Sequence, residues 1–215
     1  MIDKVHDALL TPRDTARYLG VPPRTMYRWL AEKAADAPLV HSVPPVKRGW
    51  PSMPFVAVVE AYVLRSLRDL KLSKEKIRDA AEEIRKIVGN PYALADRRIA
   101  TDGVDVFVHY VDSDELARVG DQQMPIREVI RDYLNYIVWE PADVYPARLR
   151  LPQYRGVVEV VIDPRFGWGA PVIARTKVSV DAVVGMWRAG ESSDVVADEY
   201  GLTVGEVEAV VRVAA

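Results

Sequence analysis

The sequence predicts a mainly α fold with minor β. Its parts are an N-terminal winged helix-turn-helix, a small central α+β segment and a C-terminal three-helix bundle. Three observations predict it. Residues 10–34 hold two short helical patterns joined by Gly20-Val21. Residues 56–88 repeat apolar side chains at three- and four-residue steps. Residues 181–215 contain three short helical patterns stopped by glycines.

In chain order, Thr11 is placed to cap the first helix, Pro12 suits its first position, and Asp14 lies near its positive end. Ala16 and Leu19 give it an apolar face, and Gly20 supplies the left-handed residue that ends it. Pro23 opens the second helix, with Met26, Trp29 and Leu30 on one side. Arg24, Thr25, Tyr27 and Arg28 fall outside that stripe. A helix packed by one side and carrying arginines on the other suits a DNA major groove. The plain alternative is a helical hairpin with solvated arginines. The proline-rich stretch APLVHSVPPVKRGWPSMPF cannot be a continuous helix. Lys47 and Arg48 beside Gly49 read as the tip of a wing lying against phosphates, with Trp50 and Phe55 as packing residues. Val56, Val59, Val63, Leu67 and Leu70 mark a helix. Ser73 caps the next, Ile77, Ala81, Ile84 and Val88 form its buried face, and Gly89 ends it.

Asn90-Pro91 breaks the pattern. Residues 99–111 alternate apolar and polar around Asp102-Gly103, which predicts a hairpin or paired strands. Residues 125–138 read as a helix with Ile126, Val129, Ile130, Tyr133 and Ile137 inward. Two strands, ARLRL and VVEVVI, follow around a turn from Pro152 to Gly156. FGWGAP at 166–171 reads as a turn with Trp168 packed inward. A strand-like lead ends at Val180, and helices start at Asp181, Ser192 and Thr203, the last with the capping box Thr203-x-x-Glu206. The expected domains are 1–90, 91–156 and 157–215.

The 215 residues, 49% of them hydrophobic, suffice for a buried core without staples. The absence of cysteine excludes disulfides, thiolate zinc sites and cysteine nucleophiles. The start MIDKVHDALL lacks a signal-peptide pattern, and no stretch approaches the roughly 20 apolar residues of a membrane span, so a cytoplasmic protein is expected. Net charge is −2, but it is unevenly distributed: +4 over 11–50, +2 over 51–90, −6 over 91–145, +4 over 146–180 and −5 over 181–215. A basic N-terminal third fits a DNA-binding head on a body made for other contacts. His6, His41 and His109 lack metal-ligand spacing, no phosphate loop or nucleophile elbow is present, and the carboxylates of 96–143 are spaced as turns and solvated faces. No cofactor, no metal and no enzymatic activity are expected.

Two resemblances follow from these motifs. LLTPRDTARYLGVPPRTMYRWL, the wing KRGW and the helix pair ending in LKLSKEKIRDAAEEI resemble the DNA-binding region of the MerR and excisionase class. The resemblance implies that Arg24, Thr25, Tyr27 and Arg28 face DNA and that Lys47 and Arg48 make the wing contacts. Where that class has Ser-Pro, this chain has Pro22-Pro23, so a capping hydroxyl is missing. PVIARTKVSV, GESSDVV and EYGLTVGEV resemble a short uncharacterised-domain family that accompanies PIN-like toxins. Here Ala174-Arg175 replaces the glycine before Thr176, Lys177 takes the place of an arginine, and Val195 replaces a capping glutamate. Together the two ends resemble a VapB-type antitoxin with a MerR-like head, which implies two partners, a PIN-like ribonuclease toxin and operator DNA.

Charge refines both expectations. A single head with a handful of cations binds DNA weakly at cellular salt, so a homodimer on a palindrome is expected, with the 56–70 stripe or the central strands in its interface. The alternative for that stripe is intramolecular core. A PIN-type nuclease holds divalent metal in a carboxylate cluster, so its inhibitor should bring cations. Arg148, Arg150, Arg155, Arg165, Arg175 and Lys177 are the expected toxin-binding residues; the alternative is that they pair with the acidic middle region. Two other functional readings are a MerR-like transcriptional regulator responding to a small ligand through that region, and a protein-binding scaffold.

Overall fold

Side-chain hydroxyls start helices in both halves of the chain. Thr11 Oγ1 accepts the Asp14 N–H at 3.1 Å, Ser73 Oγ that of Lys76 at 3.3 Å, Ser179 Oγ that of Ala182 at 3.1 Å and Ser192 Oγ that of Val195 at 3.4 Å. Each satisfies a backbone donor that the helix itself leaves unpaired. The structure is a computed structural model and describes residues 2–34, 37–70, 72–110 and 126–214. It is mainly helical with a small antiparallel sheet, and it divides into two compact units, Asp3–Pro146 and Ala147–Ala215. Composition suggests cuts after residues 90 and 156 instead.

The N-terminal unit begins with α1 (Pro12–Tyr18) and α2 (Pro23–Ala31), joined through Gly20 at φ 63°. Ala16, Leu19, Val21, Met26 and Trp29 are buried between them. β1 (Lys33–Ala34) and β2 (Ala37–Pro38) pair antiparallel. The chain then loops out and returns: Val43 N–H donates to Ser52 C=O at 2.9 Å, and Met53 N–H to Leu10 C=O at 2.9 Å. α3 (Phe55–Asp69) is buried almost all round, as befits a central core helix. Val56, Val59, Val63, Leu67 and Leu70 lie inside the unit's own core, so the expected dimer face on 56–70 does not exist as a free surface. α4 (Lys74–Val88) ends at Gly89, φ 65°.

The expected hairpin at 99–111 is replaced by helix. Arg97–Ala100 forms a 3₁₀ turn, and α5 (Asp102–Tyr110) follows. Val104 and Phe107 are buried while Asp102 and Asp105 are exposed, so a three-residue period underlies what reads as alternation. Gly103 is buried at the α5 start, where a Cβ would lie 2.8 Å from Ile99 Cγ1; it permits close packing rather than a turn. α6 (Ile126–Leu134) packs on α5 and α3, with Ile130 and Leu134 buried and Tyr62 Oη donating to the Tyr133 carbonyl at 2.8 Å. Ile137, expected on that helix, is buried in the two-residue strand β3 (Ile137–Val138). The Ile126 side chain lies outside the described residues.

The C-terminal unit holds β4 (Arg148–Arg150), β5 (Val160–Ile162) and β6 (Val172–Ile173) in antiparallel order, with Leu149 opposite Ile162 and Val161 opposite Val172. Three mutually packed helices follow: α7 (Val180–Arg188), α8 (Ser193–Tyr200) and α9 (Val204–Ala214). The capping box forms as expected. Thr203 N–H donates to Glu206 Oε2 at 2.8 Å, and Glu206 N–H to Thr203 Oγ1 at 3.2 Å.

Candidate nucleic-acid and partner interfaces

α2 is a surface helix with two unlike sides. Thr25, Met26 and Trp29 are buried, whereas Arg24 and Tyr27 are exposed and Arg28 is half-buried. Residues 24, 27 and 28 are neighbours one helical turn apart, so they form a single outward face. Thr25 departs from its expected DNA-facing place. It sits one turn below Trp29 on the packed side and is 9% exposed. Arg28 stands 3.8 Å from Glu32, and its Nε is buried without a hydrogen-bond partner. Pro22 supplies no side-chain cap, as the missing hydroxyl implied.

The loop that leaves β2 carries the other expected contacts. Its tip is a turn in which Trp50 N–H donates to Lys47 C=O at 3.0 Å, with Gly49 at φ 84°. Lys47 and Arg48 are exposed. Phe55 is buried, but Trp50 is 52% exposed, with the Lys47 ammonium 5.4 Å from its ring, and so is not a packing residue.

Beneath the head lies a polar cluster that sequence reasoning missed. The Glu60 carboxylate has no exposure; it accepts the His41 N–H at 2.8 Å and faces His41 Nδ1 at 2.8 Å. Arg85, 8% exposed, donates to the carbonyls of Ala37, Pro38, Leu39 and Pro91. Burial lowers the Arg85 pKa and Glu60 opposes that shift. A charge inside an apolar helical run, Glu60 within VAVVEAYVL, was the available signal. His6, by contrast, is exposed beside Asp3, and the His109 side chain lies outside the described residues. Among the described residues, no three His, Asp or Glu side chains group to hold a metal ion.

In the C-terminal unit four of the six expected cations have local partners among the described residues. Arg150 pairs with Glu159 at 2.8 Å, Arg165 with Asp163 at 2.8 Å and Arg175 with Glu206 at 2.9 Å. Lys177 donates to the Ala174 carbonyl, and Arg148 Nε is buried without a partner. Arg155 is exposed. Burial raises the Asp163 pKa, but hydrogen bonds from Arg165 outweigh it and hold the carboxyl below its ordinary value. Trp168 overturns its expected inward packing. It is 90% exposed and adopts φ 52°, ψ 33°, a left-handed conformation that costs an L-residue roughly 1–2 kcal/mol.

These elements define a helix-turn-helix protein with a separate C-terminal unit, and similarity to known proteins agrees. Residues 8–81 match the family described as "Putative DNA-binding HTH domain" and residues 160–214 match "Protein of unknown function (DUF433)". The chain is 34% identical to "Putative antitoxin VapB45" of Mycobacterium tuberculosis, over 91% of this chain and 89% of that protein. The crystal structure of Rv2018 from Mycobacterium tuberculosis superposes with a TM-score of 0.78 at 32% identity, covering 97% of this chain and 99% of that one. The chain belongs to the family of this VapB-type antitoxin. Among the described residues no helix is long and apolar enough to cross a membrane.

Proposed function

We propose that the protein is the antitoxin of a type II toxin–antitoxin pair, a regulator that neutralises a PIN-like ribonuclease and represses its own operon. The observation that carries the reading is the pairing of two units in one chain that is 34% identical to a VapB-type relative: a helix-turn-helix whose outward face bears Arg24, Tyr27 and Arg28, and a separate C-terminal unit that matches its own family over residues 160–214. Arg24, Tyr27 and Arg28 read the major groove of operator DNA, and Lys47 and Arg48, in a MerR-like wing, neutralise phosphates. Two copies reading a palindrome in the cytoplasm supply the affinity that one small basic head lacks. In the C-terminal unit, the toxin contacts come from cations that retain exposed surface, Arg150, Arg155, Arg165 and Arg175 among them.

Co-expression with the product of the adjacent reading frame tests the reading. Co-purification and loss of ribonuclease activity are expected, together with salt-dependent binding to the upstream promoter. Failure to co-purify would overturn the antitoxin assignment. A second reading, a regulator answering to a small ligand, is favoured by one feature, which lies beside α2 and not in the expected middle region: a cavity of about 260 Å³ lined by Arg28, Arg68, Lys74 and Glu32 over Trp29, Leu39, Leu72 and Ile77. Promoter binding that changes with a small carboxylate, and not with the product of the adjacent frame, would support it instead.

A further inference from the structure

Trp168 stands out among the described residues for two reasons at once. At 90% exposure it is the most exposed large apolar side chain described, and it is one of two non-glycine residues there with positive φ, the other being Lys177 at φ 63°. Two cations border the ring of Phe166, two residues before Trp168 in the chain. The Lys177 ammonium lies 4.9 Å from the centre of the Phe166 ring and the Arg165 guanidinium 5.9 Å from it. Phe166 itself is 36% exposed.

The turn that carries Trp168 is fixed from below. Gly169 N–H donates to Phe166 C=O at 3.2 Å, and Ala170 N–H to Gly167 C=O at 2.9 Å. Gly167, φ 60°, sits so close to the strand that a Cβ there would meet Val172 Cγ1 at 2.8 Å. Val172 is fully buried in β6, so the turn has little freedom to shift. Asp163, 1% exposed, accepts from the Arg165 backbone N–H at 3.0 Å and from its guanidinium at 2.9 and 2.8 Å, which locks the preceding residues. The result is a rigid stalk that holds an indole out into solvent.

Nothing in the folded unit gains from that arrangement. Glycine or asparagine would occupy the left-handed position with less strain, and the exposed indole buries almost no surface. Strained, over-determined positions and projecting tryptophans are both features of binding sites. The local chemistry selects the occupant. A projecting tryptophan beside pinned cations fits a protein surface that has an apolar slot rimmed by carboxylates. It fits a nucleic acid poorly. The unit's eight basic residues are balanced by nine acidic ones over 147–214, so it lacks the net positive charge that tracks a phosphate backbone.

We infer that Trp168 is the anchor by which the C-terminal unit docks its toxin, with Phe166, Lys177 and Arg165 forming the rim that receives acidic side chains of that toxin. The inference rests on the antitoxin reading and adds the contact surface to it. It assigns the docking role to the 165–177 surface in place of the wider set of basic residues.

Full-length wild type, Trp168→Gly and Trp168→Ala are each titrated with the purified product of the adjacent reading frame, and each is melted. Trp168→Gly is the decisive variant because glycine relaxes the φ. Its melting temperature is expected to equal or exceed that of wild type, while toxin affinity falls about thirtyfold or more. Promoter binding through α2 should not change. Wild-type toxin affinity in a stably folded Trp168→Gly would overturn the anchor and leave the antitoxin reading standing. Absence of toxin binding by wild type would overturn both. A variant that binds toxin normally but loses self-association, or loses binding to a single-stranded oligonucleotide, would reassign the indole to a second copy or to nucleic acid and overturn the inference.

Discussion

Glu60 and His41 form a buried polar pair: a carboxylate with no exposure on α3 accepts the backbone N–H of His41 and lies 2.8 Å from its ring Nδ1. With the carboxylate ionised, the ring proton belongs on Nδ1. The pair ties the chain leaving β2 to the central helix. Arg85 on α4 ties the same segment from the other side through the carbonyls of Ala37, Pro38 and Leu39. The connection between α2 and the following loop therefore hangs on the side chains of Glu60, His41 and Arg85. Glu60→Ala is expected to destabilise by about 3 kcal/mol, because it removes the carboxylate that opposes the buried Arg85 charge and leaves the His41 donors unpaired in a part-buried site. Calorimetry should show a melting temperature lowered by roughly 6–12 °C. An exchange that left the melting temperature unchanged would mean water replaces the carboxylate.

Local rules make the first helices legible. Thr11, Ser73, Ser192, Thr203 and the stop glycines 20, 89 and 201 act where hydroxyl caps and left-handed ends require them. The same holds for the α2 face, since Arg24 and Tyr27 are exposed opposite Met26 and Trp29. Thr25 shows the limit of that reading, because a small polar residue can sit on a packed side at little cost. Two expectations fail for a different reason. In 102–108 the pattern Val104-x-Val106 is short enough to satisfy either a two- or a three-residue period, and packing against α4 decides it. Hydrophobicity alone points Trp168 inward, although it lies between two glycines whose conformations aim it outward. The cluster at Glu60 needs a chain reversal of nineteen residues to assemble, which no local pattern encodes.

The head separates binding from folding along one helix. Arg24→Ala and Arg48→Ala are expected to weaken promoter binding while leaving the melting temperature within about 1 °C, since both side chains are exposed. Removing one cation that neutralises a phosphate should reduce the slope of log K against log salt by about 1. Trp29→Ala, at a site 3% exposed, should cost about 3–5 kcal/mol and abolish binding through unfolding. Filter binding across a salt series, with parallel denaturant melts, distinguishes the two classes.

Acid should weaken the C-terminal unit through identifiable carboxylates. Burial raises the Asp163 pKa, yet the Arg165 hydrogen bonds bring it below the ordinary value. The Glu206 pKa is lowered first by the Thr203 N–H and then by Arg175. A carboxyl with a depressed folded pKa stabilises above its unfolded pKa, about 4, and that contribution disappears as pH falls through the folded value. Asp163→Asn is therefore expected to melt below wild type at pH 7, with the two curves converging below about pH 4. A constant gap between them across the acid range would show that Asp163 acts by shape and not by charge.

Two helical glycines should respond to alanine with opposite signs. Intrinsic helix propensity favours alanine over glycine by about 1 kcal/mol. At Gly185 in α7 an added Cβ meets nothing within 4 Å, so propensity should act alone and Gly185→Ala should stabilise by about 0.5–1 kcal/mol. At Gly103 in α5 the same methyl would lie 2.8 Å from Ile99 Cγ1 and 3.8 Å from Ile84 Cδ1. Ile99 is fully buried and Ile84 is 1% exposed, so neither can retreat without displacing the core. Overpacking costs about 1–3 kcal/mol and exceeds the propensity gain. Gly103→Ala should therefore lower the denaturant midpoint, and Gly185→Ala should raise it. A rise at both positions would mean that α5 can tilt away from Ile99 at less cost than its burial implies.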